Sequence, residues 1–301
     1  MWVLLALCSA LLLGVYDVFK KMSLKGNAVI PVLTYSILIS SLFFFCPIVL
    51  SKIFPEQMSD VRFYVPSVSF SAHLFIALKS VLVLGSWICA YFGMKNIPIT
   101  IYAPIRATQP VWTVVGAIVI FSESLSGLQI CGVTLTLLSF FLFSIAGKSE
   151  GVVWKNNQWI WLIILATIFG AASGLYDKHL MREFDRVAVQ VYSTIYQSVI
   201  MVVVLFTMWK PYKVKTPFQW RWSILGISVF LMLADYVYYW ALSYEDSMIS
   251  IVSTIRRSGA VVPFLYGAVF LNEKNLKVKG MLLAGILLGV ALLTFGAVKL
   301  G

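Results

Sequence analysis

Apolar runs close to 20 residues long recur along the whole chain and are separated by short polar stretches. A helix of about 20 apolar residues crosses a bilayer, so each run predicts a membrane-spanning helix. The connections are too short for a soluble domain, and the longest are 52–69, 147–158 and 210–221. The pattern therefore predicts an all-α polytopic membrane protein with ten spans, at about 2–22, 29–51, 70–93, 98–121, 126–146, 159–180, 187–209, 222–243, 247–271 and 277–298.

The two halves of the chain resemble each other. Shifting the sequence by 150 residues lays Ile99–Glu123 on Ile249–Glu273, with an arginine and a terminal glutamate in register. Gly14–Asp17 similarly resembles Gly174–Asp177. An internal repeat decides the whole fold, so we predict a first repeat at 1–147, a connecting loop at 148–158 and a second repeat at 159–301. Five spans is an odd number, which makes the halves an inverted-topology pair.

Composition and charge agree with a membrane location. The chain is 60% hydrophobic and 12% charged, whereas a soluble domain has about 25% charged residues. The net charge of +11 comes from lysines in short loops, which is typical of cytoplasmic loops and excludes a nucleic-acid groove. Loops after odd-numbered spans hold thirteen Lys and Arg, with Lys20, Lys21 and Lys279 among them, against six on the other side. This bias places both termini outside the cytoplasm.

Several functional classes lack their motifs. The four cysteines are isolated and there are only two histidines, so we expect no metal site and no cofactor. The chain has no GxxxxGK[ST], HExxH or Gly-x-Ser-x-Gly, and we expect neither an ATPase nor another enzyme. The first span lacks a basic segment before it, so we expect it to be retained in the mature protein. A bacterial inner (plasma) membrane is the expected location.

The run Arg106…Pro110…Glu123…Gly132, within a five-plus-five repeat, resembles the drug/metabolite transporter superfamily in its EamA-type branch. In the second half the glycine after Glu273 is Gly280, two residues earlier than in the first half. The resemblance covers essentially the whole chain. It implies a central cavity lined by spans 1, 3, 4, 6, 8 and 9, with spans 5 and 10 at the ends.

The end helices of this superfamily can mediate dimers, so the resemblance also raises a possible homodimer through helices 5 and 10. Gly285 and Gly289 form a small-residue face in span 10 that could serve this contact. The alternative is close packing of that face against span 5 of the same chain.

Ionisable residues inside the spans fall on the same six spans that the resemblance assigns to the cavity. A charge within the hydrocarbon costs at least about 2.5–3.5 kcal/mol, so each should face protein or water. Spans 2, 5, 7 and 10 carry no charge in their interiors. The residues are Asp17, Lys79, Arg106, Asp177, Asp235, Arg256 and Arg257.

The arginines are the first candidates for substrate binding. A guanidinium offers two parallel donors to a carboxylate or phosphate and stays charged. Arg106 and Arg256 are related by the repeat, and the Arg256–Arg257 pair resembles that of the plastid organophosphate translocators. The alternative is that each arginine joins helices by bonding Asp235, Asp177 or a free carbonyl. Lys79 could either contact the substrate or neutralise Asp17.

The three aspartates are candidates for proton coupling or gating. Their alternatives are structural ion pairs: Asp17 with Lys20 or Lys21, Asp177 with Arg182, and Asp235 with Arg256. Pro104, Pro110 and Pro263 each remove a helical hydrogen bond, and they predict either hinges or static kinks. Aromatic residues that could stack on a substrate, or simply pack, are Trp87, Tyr102, Tyr236 and Tyr239.

Together these features predict a secondary transporter that moves a small polar metabolite by alternating access. Its partners would be a small-molecule substrate and the lipid bilayer. The excess of cations over carboxylates favours an anionic or zwitterionic substrate, such as an organic acid, a phosphorylated metabolite or an amino acid. The alternative is a flippase that carries a lipid-linked headgroup with the same fold.

Overall fold

The computed structural model describes residues 1–58, 61, 64–121, 126–148, 157–245, 247, 249–271 and 276–298, and all regular structure in these residues is helical. The helices are α1 Trp2–Leu24, α2 Val29–Ile53, α3 Pro55–Met58, α4 Phe70–Asn96, α5 Ile99–Ala107, α6 Gln109–Phe121, α7 Gly127–Lys148, α8 Gln158–Glu183, α9 Arg186–Val204, α10 Ser223–Leu242, α11 Ile249–Ser258, α12 Val261–Phe270 and α13 Leu276–Val298. A π-helical turn, Leu205–Trp209, continues α9.

Six helices are long and apolar enough to cross a membrane on the basis of the described residues. They are α1, α2, α4, α8, α9 with its π-helical turn, and α10. Several begin at a polar N-cap: the side chains of Ser69, Asn157 and Asp185 accept hydrogen bonds from backbone N–H groups two or three residues later. These caps satisfy donors that a helix start leaves unpaired, and so they set where α4, α8 and α9 begin.

The fourth and ninth predicted spans are each broken into two helices. The first break is at Thr108, between α5 and α6, and the second is at Gly259–Ala260, between α11 and α12. Pro110 and Pro263 lie in the first turn of the helix after each break, where a missing N–H costs nothing. Pro104 lies inside α5. The hinges or kinks predicted from the prolines of these two spans thus fall in or beside helices that are broken.

The second break is also where the backbones of two helices touch. A Cβ added to Gly259 would lie 2.1 Å from the carbonyl oxygen of Ala10, and one added to Gly14 would lie 2.6 Å from the carbonyl oxygen of Gly259. Because no side chain fits in either direction, α1 can approach the α11–α12 break only through these two glycines.

Helix α1 packs antiparallel to α10. The Ser9 hydroxyl donates to the carbonyl of Ala234 at 2.8 Å, and near the other end of α1 the hydroxyls of Ser23 and Ser223 are 2.6 Å apart. The C-terminal end of α1 therefore lies beside the N-terminal end of α10.

Helix α4 packs antiparallel to α8 in the same way. The Ser86 hydroxyl donates to the carbonyl of Ala166 at 2.7 Å. Lys79, nearer the start of α4, contacts Asp177, nearer the end of α8. Helices α2 and α9 pack against each other. Each of the two main helix pairs thus takes one helix from either half of the chain.

Helices α7 and α13 form a separate packed pair. A Cβ on Gly285 would lie 2.5 Å from the hydroxyl oxygen of Ser139, and one on Gly289 would lie 2.4 Å from that of Thr136. The small-residue face of the last helix is therefore occupied by α7 of the same chain. The possible homodimer through these helices stays a prediction.

Two lysines that the charge count assigned to loops are buried in helices. Lys20 lies in α1 and is 3% exposed, and Lys279 lies in α13 and is 0% exposed. The Lys279 ammonium donates to the Thr100 hydroxyl at 2.7 Å. Lys178, one of the six cations counted on the other side of the membrane, also lies within a helix. Leaving out Lys20, Lys279 and Lys178 still leaves more Lys and Arg after the odd-numbered spans than on the other side.

Candidate functional site

A cavity of about 110 Å³ lies at the centre of the helices. A single water needs roughly 10–15 Å³ on this measure, so the cavity holds several waters or a small solute. Its wall includes α2 and α9 in addition to the expected helices. Helix α2 contributes Ser40, and α9 contributes Gln190, Ser193 and Gln197. The intramembrane charges gave no sign of these two helices, because the polar side chains that they contribute to the wall are uncharged.

Most of the predicted site residues line this cavity. They are Asp17, Lys79, Trp87, Tyr102, Arg106, Asp177, Asp235, Tyr239, Arg256 and Arg257. Tyr236 is not in the wall: its ring is 6.3 Å from that of Trp240, between centroids. The three prolines are not in the wall either. Glu123 and Glu273, which carry part of the family resemblance, lie outside the described residues.

Three of the cavity's cations are each paired with a carboxylate. The Lys79 ammonium donates to Asp177 at 2.6 Å, and their side chains are 1% and 8% exposed. Two further pairs join Lys20 with Asp17 and Arg256 with Asp235.

These pairs show which cation each aspartate contacts. Asp17 pairs with Lys20, as one alternative predicted, and Asp235 pairs with Arg256. Two expectations were wrong, because Asp177 pairs with Lys79 and not with Arg182, and Lys79 therefore does not neutralise Asp17. The antiparallel packing of α4 and α8 brings Lys79 and Asp177 together, and two buried charges at contact distance must pair to be tolerated.

Tyrosine rings surround the buried ammonium of Lys20. Its Nζ lies 4.5 Å from the ring centre of Tyr16 and 5.2 Å from those of Tyr91 and Tyr102, and it donates to the Tyr102 hydroxyl at 3.1 Å. Such cation–π contacts stabilise a desolvated charge. Sequence reasoning missed Lys20 as a cavity residue because it lies close to the helix end, among the loop lysines.

The other two paired cations also contact tyrosines. The Lys79 Nζ lies 5.1 Å from the ring centre of Tyr239, and the Arg256 guanidinium lies 4.0 Å from that of Tyr238. Tyr102 and Tyr239, predicted to stack on a substrate, thus contact the protein's own cations in this conformation.

Arg106 and Arg257 differ from these three cations. Neither has a carboxylate within ion-pair distance among the described residues. Nη1 of Arg106 and Nε of Arg257 are buried and have no hydrogen-bond partner. Nε of Arg256 is also unpartnered, but another nitrogen of that guanidinium bonds Asp235, so the difference lies in the missing carboxylate. Both side chains, together with Asp17 and Arg256, also line a smaller adjoining pocket beside Gly259. A buried donor without a partner costs free energy, so these two groups are poised to bind an acceptor.

An unpaired acceptor lies beside Arg106. The Oε1 of Gln109, a residue that is 6% exposed, is buried without a partner. A Cβ on Gly170 would lie 2.8 Å from this oxygen and 3.4 Å from Nη1 of Arg106. Both atoms therefore border the space left open by Gly170. Gln109 was missed because an uncharged amide gives no signal in a search for intramembrane charges.

The wall of the cavity holds five cations and three carboxylates, which leaves two positive charges in excess. The three carboxylates are already paired with cations, so the excess is located at Arg106 and Arg257. Within the described residues, no group of three His, Cys, Asp or Glu side chains could hold a metal ion. The arrangement can bind an anionic group of a small solute.

Apolar helices of membrane-spanning length around a charged cavity indicate an integral, multi-pass membrane protein. The sequence profile of the EamA-like transporter family matches residues 1–145 and 157–295. The chain belongs to this family, which is a branch of the drug/metabolite transporter superfamily.

A solved structure titled "Crystal structure of protein" is similar to this chain over 98% of its length and 97% of the other, with a TM-score of 0.64 and 10% identity. A likeness at that identity concerns the fold alone. No curated protein sequence matches the chain.

Proposed function

We propose that this protein is a secondary transporter that moves small anionic or zwitterionic solutes through the central cavity by alternating access. The observation that carries the proposal is the difference between the cations of the cavity. Lys20, Lys79 and Arg256 each have a carboxylate partner, whereas Arg106 and Arg257 have none among the described residues. An anionic substrate would supply the missing partner.

This assigns substrate binding to Arg106, Arg257 and Gln109, and leaves Arg256 as the partner of Asp235. The sequence favoured Arg106 and Arg256 because they are related by the repeat. In the structure Arg256 pairs with Asp235, whereas the next residue, Arg257, has no carboxylate partner among the described residues.

Both proposed binding arginines lie in the last turn of a helix that ends at a break. Arg106 precedes the break at Thr108, and Arg257 precedes the one at Gly259. The C-terminal end of a helix carries partial negative charge, which helps to hold a cation that has no carboxylate partner. Discontinuous helices of this kind surround substrate sites in many transporters.

The proposed architecture is a pair of inverted five-helix repeats, at 1–147 and 159–301, with ten spans. Two features support it. The pairing of α1 with α10 becomes that of α8 with α4 when the halves are exchanged, and the fourth and ninth predicted spans are both broken. Pro104, Pro110 and Pro263 lie in or beside the broken helices and are proposed as hinges. Proton coupling through Asp17, Asp177 or Asp235 would require its ion pair to open.

A ligand screen on the purified protein tests the proposal. Grouped organic acids, phosphorylated sugars, amino acids, amines and lipid headgroups are added, and the thermal unfolding midpoint is measured. A ligand at 100 times its Kd stabilises the folded state by about 2.7 kcal/mol. We expect anionic or zwitterionic solutes to raise the midpoint of the wild type but not that of Arg106→Met or Arg257→Met. Arg182→Met, which removes an exposed arginine of α8, should respond like the wild type.

Each hit is then tested for counterflow in proteoliposomes. Stabilisation by amines alone would contradict the anion site. Stabilisation by lipid headgroups alone would favour the flippase.

A further inference from the structure

Lys21 ties the C-terminal end of α1 to that of α4. Its ammonium donates to the carbonyl of Met94 at 2.8 Å and to the carbonyl of Ile97 at 2.8 Å. Ile97 is the C-cap of α4. The last carbonyls of a helix lack intrahelical partners and carry partial negative charge, so an ammonium group binds them well.

Lys178 makes the equivalent contact between α8 and α10. Its ammonium donates to the carbonyls of Leu242, Tyr244 and Ser247 at 3.2, 3.5 and 2.8 Å, and to the Ser247 hydroxyl at 2.7 Å. Leu242 is the last residue of α10. Helices α1 and α8 are the first of each half, so each half uses a lysine of its first helix to bind the end of its third long helix.

The two contacts lie at opposite ends of the protein. Ser23, close to Lys21, contacts Ser223 at the start of α10, whereas Leu242 at the end of α10 packs in one cluster with Ala6 near the start of α1. An α-helix rises 1.5 Å per residue, so the 20-residue α10 separates the two contacts by about 30 Å, close to the thickness of a bilayer core.

Each lysine also crosses between the two main helix pairs. One pair is α1 with α10 and the other is α4 with α8, and the cavity lies between them. Lys21 joins the pairs beyond one end of the cavity, and Lys178 joins them beyond the other end.

Each of the two lysines directly follows a residue that lines the cavity. Lys20, which precedes Lys21, pairs with Asp17 in the cavity wall, and Asp177, which precedes Lys178, pairs with Lys79 there. A solute in the cavity therefore lies beside the helix turn that carries each of these lysines. The carbonyls that a lysine releases can bind water at the membrane surface, so each contact can break and reform.

We propose that Lys21 and Lys178 are paired gate residues, one at each mouth of the cavity, and that the transport cycle opens them in alternation. The proposal rests on the alternating access proposed above. In the present conformation both contacts are formed.

The test measures access to the cavity from each face without any substrate. Ser40 lines the cavity near the middle of α2, so Ser40→Cys in a background without Cys8, Cys46, Cys89 and Cys131 provides a thiol at mid-depth. A membrane-impermeant maleimide is applied to intact cells and, separately, to inverted membrane vesicles. The rate of labelling reports how often each mouth is open.

We expect Lys21→Met to raise labelling from one face by roughly tenfold, which corresponds to about 1.4 kcal/mol, and Lys178→Met to do so from the opposite face. Lys21→Arg and Lys178→Arg keep the donors and should return labelling toward the wild-type rates. The matched controls are Lys25→Met and Arg182→Met, which remove exposed cations near each gate and should leave both rates unchanged.

Equal increases from both faces would overturn the gate proposal, because they would indicate a general loss of packing. Unchanged labelling in both methionine variants would overturn it too. Opposite sidedness without anion binding in the ligand screen would support the gates and contradict the proposed substrate class, so the two proposals fail separately.

Discussion

Neighbouring arginines of α11 should respond to the same substitution with opposite effects on stability. Arg256 is paired with Asp235, and their side chains are 11% and 20% exposed. Arg257 has no carboxylate partner within ion-pair distance among the described residues. It is buried, and its charge is repelled by those of Arg106 and Arg256 and attracted more weakly by that of Asp17. Replacing each arginine with methionine keeps most of the side-chain volume and removes the charge.

The magnitudes follow from what each substitution leaves behind. Arg256→Met leaves the Asp235 carboxylate without its partner. Breaking a fully buried pair costs about 3–5 kcal/mol, and this partly buried pair should cost less than that because water in the cavity screens the carboxylate. Arg257→Met removes a buried charge that repels its neighbours, so the free energy of unfolding should stay the same or rise. Ligand binding should be lost in Arg257→Met, because that arginine is one of the two proposed contacts with the anion.

The assay is thermal unfolding in detergent with and without the anion that gives the largest shift for the wild type. The double variant Arg256→Met/Asp235→Asn removes both charges and should recover much of the lost stability, which isolates the pair. Equal destabilisation by Arg256→Met and Arg257→Met would refute the reasoning, because it would make Arg257 a structural tie as well. Anion stabilisation that persists in Arg257→Met would refute the assigned binding role.

Three glycines allow further tests by substitution with alanine. Gly170→Ala should change stability little but weaken anion binding, because its Cβ would lie 2.8 Å from Oε1 of Gln109 and 3.4 Å from Nη1 of Arg106 and would fill the space between these atoms. Gly259→Ala should lower the thermal midpoint relative to the wild type. Its Cβ would lie 2.1 Å from the Ala10 carbonyl oxygen, so one of the two backbones must shift. An overpacked site costs about 1–3 kcal/mol, and we expect a loss in this range. Gly85→Ala is the matched control, because its Cβ would lie 3.8 Å from Phe169, an ordinary contact distance. Alanine in place of this helical glycine should leave stability unchanged or raise it by up to about 1 kcal/mol. A loss of stability in Gly85→Ala would show that close contacts at the glycines do not explain the effects of the other two substitutions.

Local sequence pattern was sufficient for the features that depend on one helix at a time. Runs of apolar residues predicted where helices lie, because the bilayer sets a length and a polarity for each span. The cost of a charge in hydrocarbon predicted that each intramembrane charge faces protein or water, and the family resemblance assigned the helices that carry these charges to one cavity. The structure places all seven charges in its wall. The prolines of the fourth and ninth spans predicted hinges or kinks in the two helices that are broken.

Only the tertiary structure decided which charges neutralise each other. Lys79 and Asp177 are 98 positions apart in the sequence, and they meet because α4 and α8 pack antiparallel at a particular register. Arg256 and Arg257 look alike in sequence, but helical geometry turns adjacent side chains about 100° apart, so only one faces Asp235. Lys20 and Lys21 divide in the same way, one into the cavity and one onto the end of α4. A sequence determines how much charge enters the membrane, whereas the packing of the helices determines which of that charge is left for a substrate.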